Sequence, residues 1–208
     1  YLNRVVTARN VSVGQKKADK HKELLAAVAA KYGVQPRFIL AIWGIETRYG
    51  AITADVPLIS SLATLAYDAR RSTFFKKQLF ATLEMVNKGY IDVKSLFGSW
   101  AGAMGQPQFM PTSYLAFAQD FDGDGRRDIW KNEGASIANY LAKHRWRDDQ
   151  TWGRKVEIPA ELLKSLGTPT RRAAPGCRAT TYPEKLLSEW QGLGVRRIGG
   201  RDLPTREL

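Results

Sequence analysis

Glu46 is the residue around which a chemistry can be built. It lies in the run Pro36-Arg-Phe-Ile-Leu-Ala-Ile-Trp-Gly-Ile-Glu46-Thr-Arg-Tyr-Gly50 and is the first ionisable group after Arg37. Pro36 suits a first helical position and Gly50 the left-handed residue past a helix end. Phe38, Ile39, Ile42, Trp43 and Ile45 cover more than one face, so the run reads as a buried helix. A carboxyl near its C-terminal end meets low dielectric and the negative end of the helix dipole. Both raise its pKa. A carboxylic acid held protonated near neutral pH is what a general acid has to be. The competing reading is a rim Glu paired with Arg48.

Two other stretches carry chemistry. Gly98-Ser-Trp-Ala-Gly-Ala-Met-Gly-Gln-Pro-Gln-Phe-Met-Pro111 has no charge, three glycines and two prolines. It reads as an irregular segment that lines a binding cleft, where backbone approaches a ligand and Ser99, Gln106 and Gln108 need hydrogen-bond partners. A buried loop held by its own amides is the plainer alternative. Asp120-Phe-Asp-Gly-Asp-Gly-Arg-Arg-Asp128 places acids at positions 1, 3, 5 and 9 and Gly at position 6 of an EF-hand-like loop, 120–131. Arg126 stands at the seventh position, where the pattern uses a main-chain carbonyl. Position 12 is Lys131 in place of the usual Glu, with Asn132 or Glu133 as substitutes if the chain bends differently. A capped Asp-Gly turn competes with a metal site; the crowding of acids favours the metal.

The elements that must position these residues are mostly helical. Residues 1–14 are weakly patterned, with Gly14 a break. Lys16 to Lys31 reads as one amphipathic helix with Leu24, Leu25, Val28 and Ala29 inward. Leu58 to Ala69 and Ser72 to Asn87 read as helices, the second capped by Ser72 or Thr73 and inward-facing at Phe75, Leu79, Leu83 and Val86. Short helices are expected at Tyr114–Ala118 and Ser136–His144. After Trp146 the texture changes: a strand in 152–158, a helix over Ala160–Leu166, a Pro/Gly/Arg-rich loop over 167–182, a helix over Pro183–Gln191 and a strand over Val195–Ile198. The expected division is a helical core at 1–146 and a smaller mixed α/β region at 147–208, a mainly α (α+β) fold.

A 208-residue chain with 44% hydrophobic and 25% charged residues can bury a real core. The net charge of +12 implies an anionic partner. The Lys and Arg are dispersed and no nucleic-acid-binding signature accompanies them, so nucleic acid is not the expected partner. One cysteine, Cys177, allows no intrachain disulfide. No apolar run reaches about 18 residues, so no membrane span is expected.

Taken in order, Gly44-Ile-Glu46-Thr-Arg-Tyr-Gly50, Gly98-Ser-Trp-Ala-Gly-Ala-Met-Gly105, Gln108-Phe-Met-Pro-Thr-Ser-Tyr114, Asp120-Phe-Asp-Gly-Asp-Gly125 and Ser136-Ile-Ala-Asn-Tyr140 resemble the membrane-bound lytic murein transglycosylase B family. The likeness runs from about residue 15 to 158. It implies a lysozyme-like helical fold that cleaves the β-1,4 bond between N-acetylmuramic acid and N-acetylglucosamine and leaves a 1,6-anhydro end. It further implies that Glu46 is the single catalytic acid/base, and that Ser99, Gln108, Phe109 and Tyr140 line the saccharide cleft. Arg70 and Arg71 match a paired-arginine position facing the glycan or its peptide. Asp120, Asp122, Asp124, Arg126 and Asp128 match a calcium loop, so Ca2+ is implied as a structural ion, with no cofactor for the chemistry. The implied setting is the periplasm, with outer-membrane anchoring by a segment outside this sequence. Glycan strands are the implied partner, together with cell-wall synthesis proteins, and the chain is expected as a monomer.

Three departures from the family pattern stand out. Pro107 replaces a usual Gly, so the Gln108 loop is expected to be stiffer or shifted. Residues 131–135 run about two residues short, with Glu133 the nearest acidic counterpart. The family continues past Leu208 with an aromatic and Asn-containing segment that completes the cleft, so reduced activity is expected of these residues alone. A two-carboxylate glycosidase would need a partner for Glu46, and no obvious one exists outside the acidic loop. A muramidase-type hydrolase and a non-catalytic peptidoglycan-binding module remain the alternatives.

Overall fold

The computed structural model describes residues 2–130, 133–148, 153, 155–167, 170–174, 177–182 and 185–204; at 2, 133, 170–174 and 177–181 it describes the backbone alone. The chain divides into two compact units, Tyr1–Asp149 and Gln150–Leu208. The first holds helices α1 (Leu2–Val5), α2 (Ala8–Lys20), α3 (Lys22–Tyr32), α4 (Pro36–Thr47), α5 (Leu58–Tyr67), α6 (Ser72–Asn87), α7 (Pro111–Phe117) and α8 (Glu133–Lys143). Its strands β1 (Val56–Pro57) and β2 (Phe97–Gly98) pair antiparallel. The second unit holds β3 (Val156–Glu157), α9 (Ala160–Ser165), β4 (Thr170–Ala174), β5 (Cys177–Thr181), α10 (Leu187–Gly192) and β6 (Arg196–Arg197). There β3 pairs with β6 and β4 with β5, both antiparallel.

Several local expectations change. Gly14 does not break the N-terminal region: α2 runs through it, and the glycine leaves room for Tyr49, whose hydroxyl a Cβ would meet at 2.4 Å. The expected helix from Lys16 to Lys31 is two helices, broken at His21, whose ring packs edge-on against Trp43 at 5.7 Å. Ser72 does not cap α6. Its hydroxyl donates to the Ala66 carbonyl at 2.6 Å and so closes the α5–α6 turn.

The buried face of α6 is wider than the expected one: Phe75 is buried and Leu79 and Val86 pack against the core as expected, but polar residues join them and Leu83 does not. Phe75, Gln78, Ala81, Thr82 and Met85 are inside, and Leu83 is exposed. The reason is polar. Gln78 Oε1 accepts from both the main-chain N–H and the hydroxyl of Thr112 at 3.1 Å, so it anchors the start of α7. Apolar periodicity alone cannot reveal a buried amide that finds such a partner. The expected Pro/Gly/Arg-rich loop over 167–182 contains the antiparallel pair β4–β5.

Unit 1 has two apolar clusters. The first gathers Leu25, Val28, Val34, Ile39, Leu40, Trp43, Ala135, Ile137 and Ala138 from α3, α4, the link between them and α8. The second gathers Leu58, Leu62, Ala66, Phe75, Met85, Leu96, Met104, Phe109, Tyr114, Ala118 and Ile129. Fully burying a side chain such as Leu58 or Leu62 stabilises by roughly 1.5–3 kcal/mol. Helix α8 serves both clusters: Ala135, Ile137 and Ala138 face the first, and Tyr140 packs against the second.

Candidate active site

The helix carrying Glu46 is apolar on one side only. Ile39, Leu40, Trp43 and Thr47 are buried, a stripe at helical spacing, whereas Ile45 is 50% exposed and Glu46 is open to solvent. This corrects the expectation of a helix buried on several faces. Burial still pushes the Glu46 pKa up, and no neighbouring charge contributes to the shift. The two observations agree for a carboxyl that water reaches from one side while protein crowds it from the other. Its direction is the one expected of a general acid.

Past Glu46 the chain turns sharply. Arg48, Tyr49 and Gly50 all have left-handed backbone, with φ of 50, 60 and 80°. Only Gly adopts this without cost; for the other two it is roughly 1–2 kcal/mol each. The Tyr49 ring offsets that cost by packing on Trp43, with centroids 5.5 Å apart. Space for it exists because Gly14 and Gly44 lack side chains: a Cβ at Gly44 would lie 2.6 Å from the ring. The glycine and tyrosine around Glu46 therefore form one packed turn that ends α4 at a fixed place.

Thr47, the next residue, is 1% exposed. Its hydroxyl donates to the Gln106 carbonyl at 3.0 Å and accepts from the Gly50 N–H at 3.2 Å. Gln106 reaches further. Its Oε1 accepts from the Trp43 indole N–H, its Nε2 donates to the Trp130 carbonyl, and its main-chain N–H donates to the Ile129 carbonyl at 2.8 Å. The uncharged 98–111 segment is thereby joined to the end of α4. Thr47, Gln106, Trp43 and Trp130 were not singled out as a group by the sequence; the signal was the unusual presence of amides in an uncharged stretch.

Within that segment, Met104 bridges Gly98 on one side and Phe109 on the other, extending the β1–β2 pair into a small irregular sheet. This is more regular than the composition suggests. Gly105 has φ of 63°, and a Cβ there would press on Ile129 at 2.6 Å, so only glycine fits. Ser99 Oγ accepts from the Ala103 N–H at 3.0 Å, which leaves its hydroxyl hydrogen for another acceptor. Gln108 follows the buried Pro107 with φ of 52°, and its Nε2 donates to the Gly105 carbonyl at 2.9 Å.

Phe109 is buried against Tyr140 at 5.6 Å, and Tyr140 stacks on His144 at 4.2 Å and meets Phe117 edge-on at 5.0 Å. Ser99, Gln108, Phe109 and Tyr140 thus belong to the second cluster or its covering segment, and Glu46 to the helix that packs in the first. Arg70 and Arg71 lie on the α5–α6 turn. Arg70 makes a paired contact with Asp68, closest at 2.7 Å, which holds the Asp68 pKa down to about 2. Arg71 lies over the Phe74 ring at 4.3 Å.

In the acidic loop, ligand oxygens of Asp120, Asp122 and Asp124 all lie within 4.8 Å of one another. Asp120 accepts the N–H groups of Gly123 (2.8 Å) and Gly125 (3.0 Å), and Asp124 that of Arg126 (2.8 Å). Asp128 instead turns to the Trp130 N–H at 2.6 Å. Converging carboxylates on a glycine-shaped turn fit a hard, oxygen-preferring cation such as Ca2+. Lys131 and Asn132 lie outside the described residues, and Glu133 opens α8, with its side chain not described.

The family described as the transglycosylase SLT domain matches the chain over residues 1–208. The chain belongs to that family. A relative in Escherichia coli K12, membrane-bound lytic murein transglycosylase B, is 38% identical over 149 residues, 70% of this chain and 41% of that protein. SltB3 of Pseudomonas aeruginosa, solved in complex with NAG-anhNAM-pentapeptide, superposes with a TM-score of 0.86 at 41% identity, over 99% of this chain and 52% of that one. Escherichia coli Slt35, solved in complex with calcium, gives 0.71 at 30% identity, over 96% and 61%. The chain therefore spans between 41% and 61% of the length of these relatives. The mainly helical, lysozyme-like fold is that of these lytic transglycosylases.

Proposed function

We propose that this transglycosylase-domain chain is a peptidoglycan lytic transglycosylase that cleaves the MurNAc-β-1,4-GlcNAc bond and leaves 1,6-anhydromuramic ends. The observation that carries the reading is Glu46: a carboxyl raised by burial, with no charged neighbour contributing, on a helix joined to an amide-bearing segment. A retaining glycosidase would set a second carboxylate about 5–5.5 Å away, and its charge would add to the shift.

In this scheme protonated Glu46 gives its proton to the glycosidic oxygen as the C1–O bond breaks, and the GlcNAc side leaves as an alcohol. The substrate's own acetamido group stabilises the oxocarbenium ion at C1. The Glu46 carboxylate then takes the proton from the muramic O6 hydroxyl as O6 bonds to C1. Glu46 ends protonated, and no water is consumed. Ser99, Gln108 and Tyr140 contact the saccharide, Phe109 supports Tyr140 from behind, and Arg70 and Arg71 meet the glycan or its peptide. The helical core 1–146 carries the chemistry, and 147–208 is the appended region.

Asp120, Asp122, Asp124 and the Arg126 carbonyl would hold Ca2+, which would brace the loop and take no part in the reaction. The +12 charge suits anionic murein, and the proposed setting is the periplasm; the Escherichia coli relative is named as membrane-bound. The same reading includes outer-membrane anchoring, association with cell-wall synthesis proteins and action as a monomer. Purified murein with wild type and Glu46→Gln, read by product mass, tests the reading. Anhydro products one water lighter than the hydrolysis products, absent with the variant, support it. Reducing ends would establish the hydrolase, and undiminished turnover by the variant would remove Glu46 from the chemistry.

A further inference from the structure

One side chain joins elements separated by 63 residues on one side and 24 on the other: the Gln106 amide stands between Trp43 and Trp130. Its Oε1 accepts the Trp43 indole N–H, and its Nε2 donates to the Trp130 carbonyl. Its main chain adds the bond from Thr47 and the bond to Ile129. Trp43 and Thr47 bracket Glu46 on the last turn of α4, one about a turn before it and one directly after. The chain leaves that turn through two non-glycine left-handed residues, with the Arg48 N–H closing on the Gly44 carbonyl at 3.1 Å and the Tyr49 N–H on the Trp43 carbonyl at 3.3 Å. Gly50 is shaped by the same amide: a Cβ there would meet Gln106 Oε1 at 2.4 Å.

The chemistry at position 106 is narrowly specified. Trp43 has only a donor to offer, and the Trp130 carbonyl only an acceptor. The linking side chain must present one acceptor and one donor from the same short, planar group. A primary amide does this. An ionised carboxylate has no donor for the carbonyl, and a thioether of equal length has neither group in useful strength.

We propose that Gln106 is a positioning residue for the reaction at Glu46: by bridging Trp43 to Trp130 it fixes where the last turn of α4 presents the carboxyl to the 98–111 segment. The inference rests on the reading of Glu46 as the acid. Misplacing a catalytic group by about 1 Å costs on the order of 100-fold in rate, so the bridge should show in turnover more than in binding.

The experiment compares wild type, Gln106→Met and Gln106→Glu on a soluble murein glycan oligomer, with Glu46→Gln as control. Gln106→Met should lower kcat by about 10- to 100-fold with KM near wild type. Gln106→Glu should match that loss at pH 8. Relative to wild type at the same pH, its turnover should then recover as pH falls and the introduced carboxyl becomes protonated, since a protonated carboxyl again offers one donor and one acceptor. Taking the ratio at each pH removes the titration of Glu46 itself. Wild-type kcat in Gln106→Met, or a Gln106→Glu ratio flat with pH, overturns the proposal. If Gln106→Met does not fold, the pH dependence of the Gln106→Glu ratio decides alone. Full turnover by Glu46→Gln would instead overturn the catalytic reading, whereas an inactive Glu46→Gln beside a fully active Gln106→Met overturns the positioning role only.

Discussion

The two apolar clusters of the first unit differ in what they support. The cluster around Ile39, Leu40 and Trp43 is helix against helix and carries Glu46 on its outer side. The cluster around Leu58, Leu62 and Met104 supports the glycine-rich segment and the aromatic group at Phe109 and Tyr140. Both interiors are apolar, but their junction is not. Thr47 bonds to the Gln106 carbonyl, the Ser136 hydroxyl accepts from the Gln119 N–H at 3.0 Å, and Asn139 donates to the Phe117 carbonyl at 2.9 Å. All three side chains are buried. Apolar packing holds each half, and directional hydrogen bonds set the angle between them, which is the division expected where a reacting group on one half must meet a ligand held by the other.

The sharpest test of this division is Glu46→Gln. Turnover of murein should fall by at least 100-fold without loss of stability, because the side chain is not part of either core. The sign with pH is also fixed. A folded-state pKa raised above the ordinary 4.5 means that the folded protein binds the proton more tightly, so ionisation destabilises it as pH rises. The variant and wild type should melt together below that value, and the variant should melt higher at neutral pH. A variant that melts lower at neutral pH would show Glu46 held by a favourable ionic contact.

Next in size is Leu62→Ala, at 0% exposure in the second cluster, which should cost about 2–5 kcal/mol by denaturant unfolding. Both clusters should then unfold in one transition, as the polar junction requires; two separate transitions would break the comparison. Smaller again is Gly14→Ala. In an open helix this change stabilises by about 1 kcal/mol. Here the new Cβ meets the Tyr49 hydroxyl, so it should destabilise, and adding Tyr49→Phe should recover part of the gain. Additive effects of the two changes would show that Tyr49 does not occupy that space. The smallest effect is expected of Tyr114→Phe. The Tyr114 hydroxyl is buried without a hydrogen-bond partner among the described residues, and burial pushes its pKa up to about 12. Removing it should leave melting unchanged or raise stability by up to about 1 kcal/mol.

Much of this arrangement was legible in the residues. Pro36 marks the start of α4, although its end falls at Thr47, two residues before the stop that Gly50 suggested, and the ordered motifs point to the family. What escaped was side-chain satisfaction. Gln78, Gln106 and Thr47 are buried or half-buried because particular carbonyls and N–H groups await them in distant segments, and a pattern of apolar spacing says nothing about distant acceptors. The same blindness assigned Leu83 inward on α6 and missed the buried Gln78 and Thr82. Gly14 escaped for a related reason: an empty Cβ position has meaning only once the ring of Tyr49 is known to enter it.

The placement of α8 bears on the order in which the chain assembles. The second cluster is drawn from residues 58–129, whereas the first joins residues 25–43 to 135–138 across that whole stretch. Contacts between near neighbours, above all those of the α5–α6 hairpin, close small loops and form quickly; α3 and α4 must wait for α8 to exist and to dock. Glu46 is therefore synthesised early and set late. Pulse-labelled amides of α5 and α6 should gain protection before those of α4, and a ribosome-bound chain ending before Glu133 should carry the acid without the ability to use it.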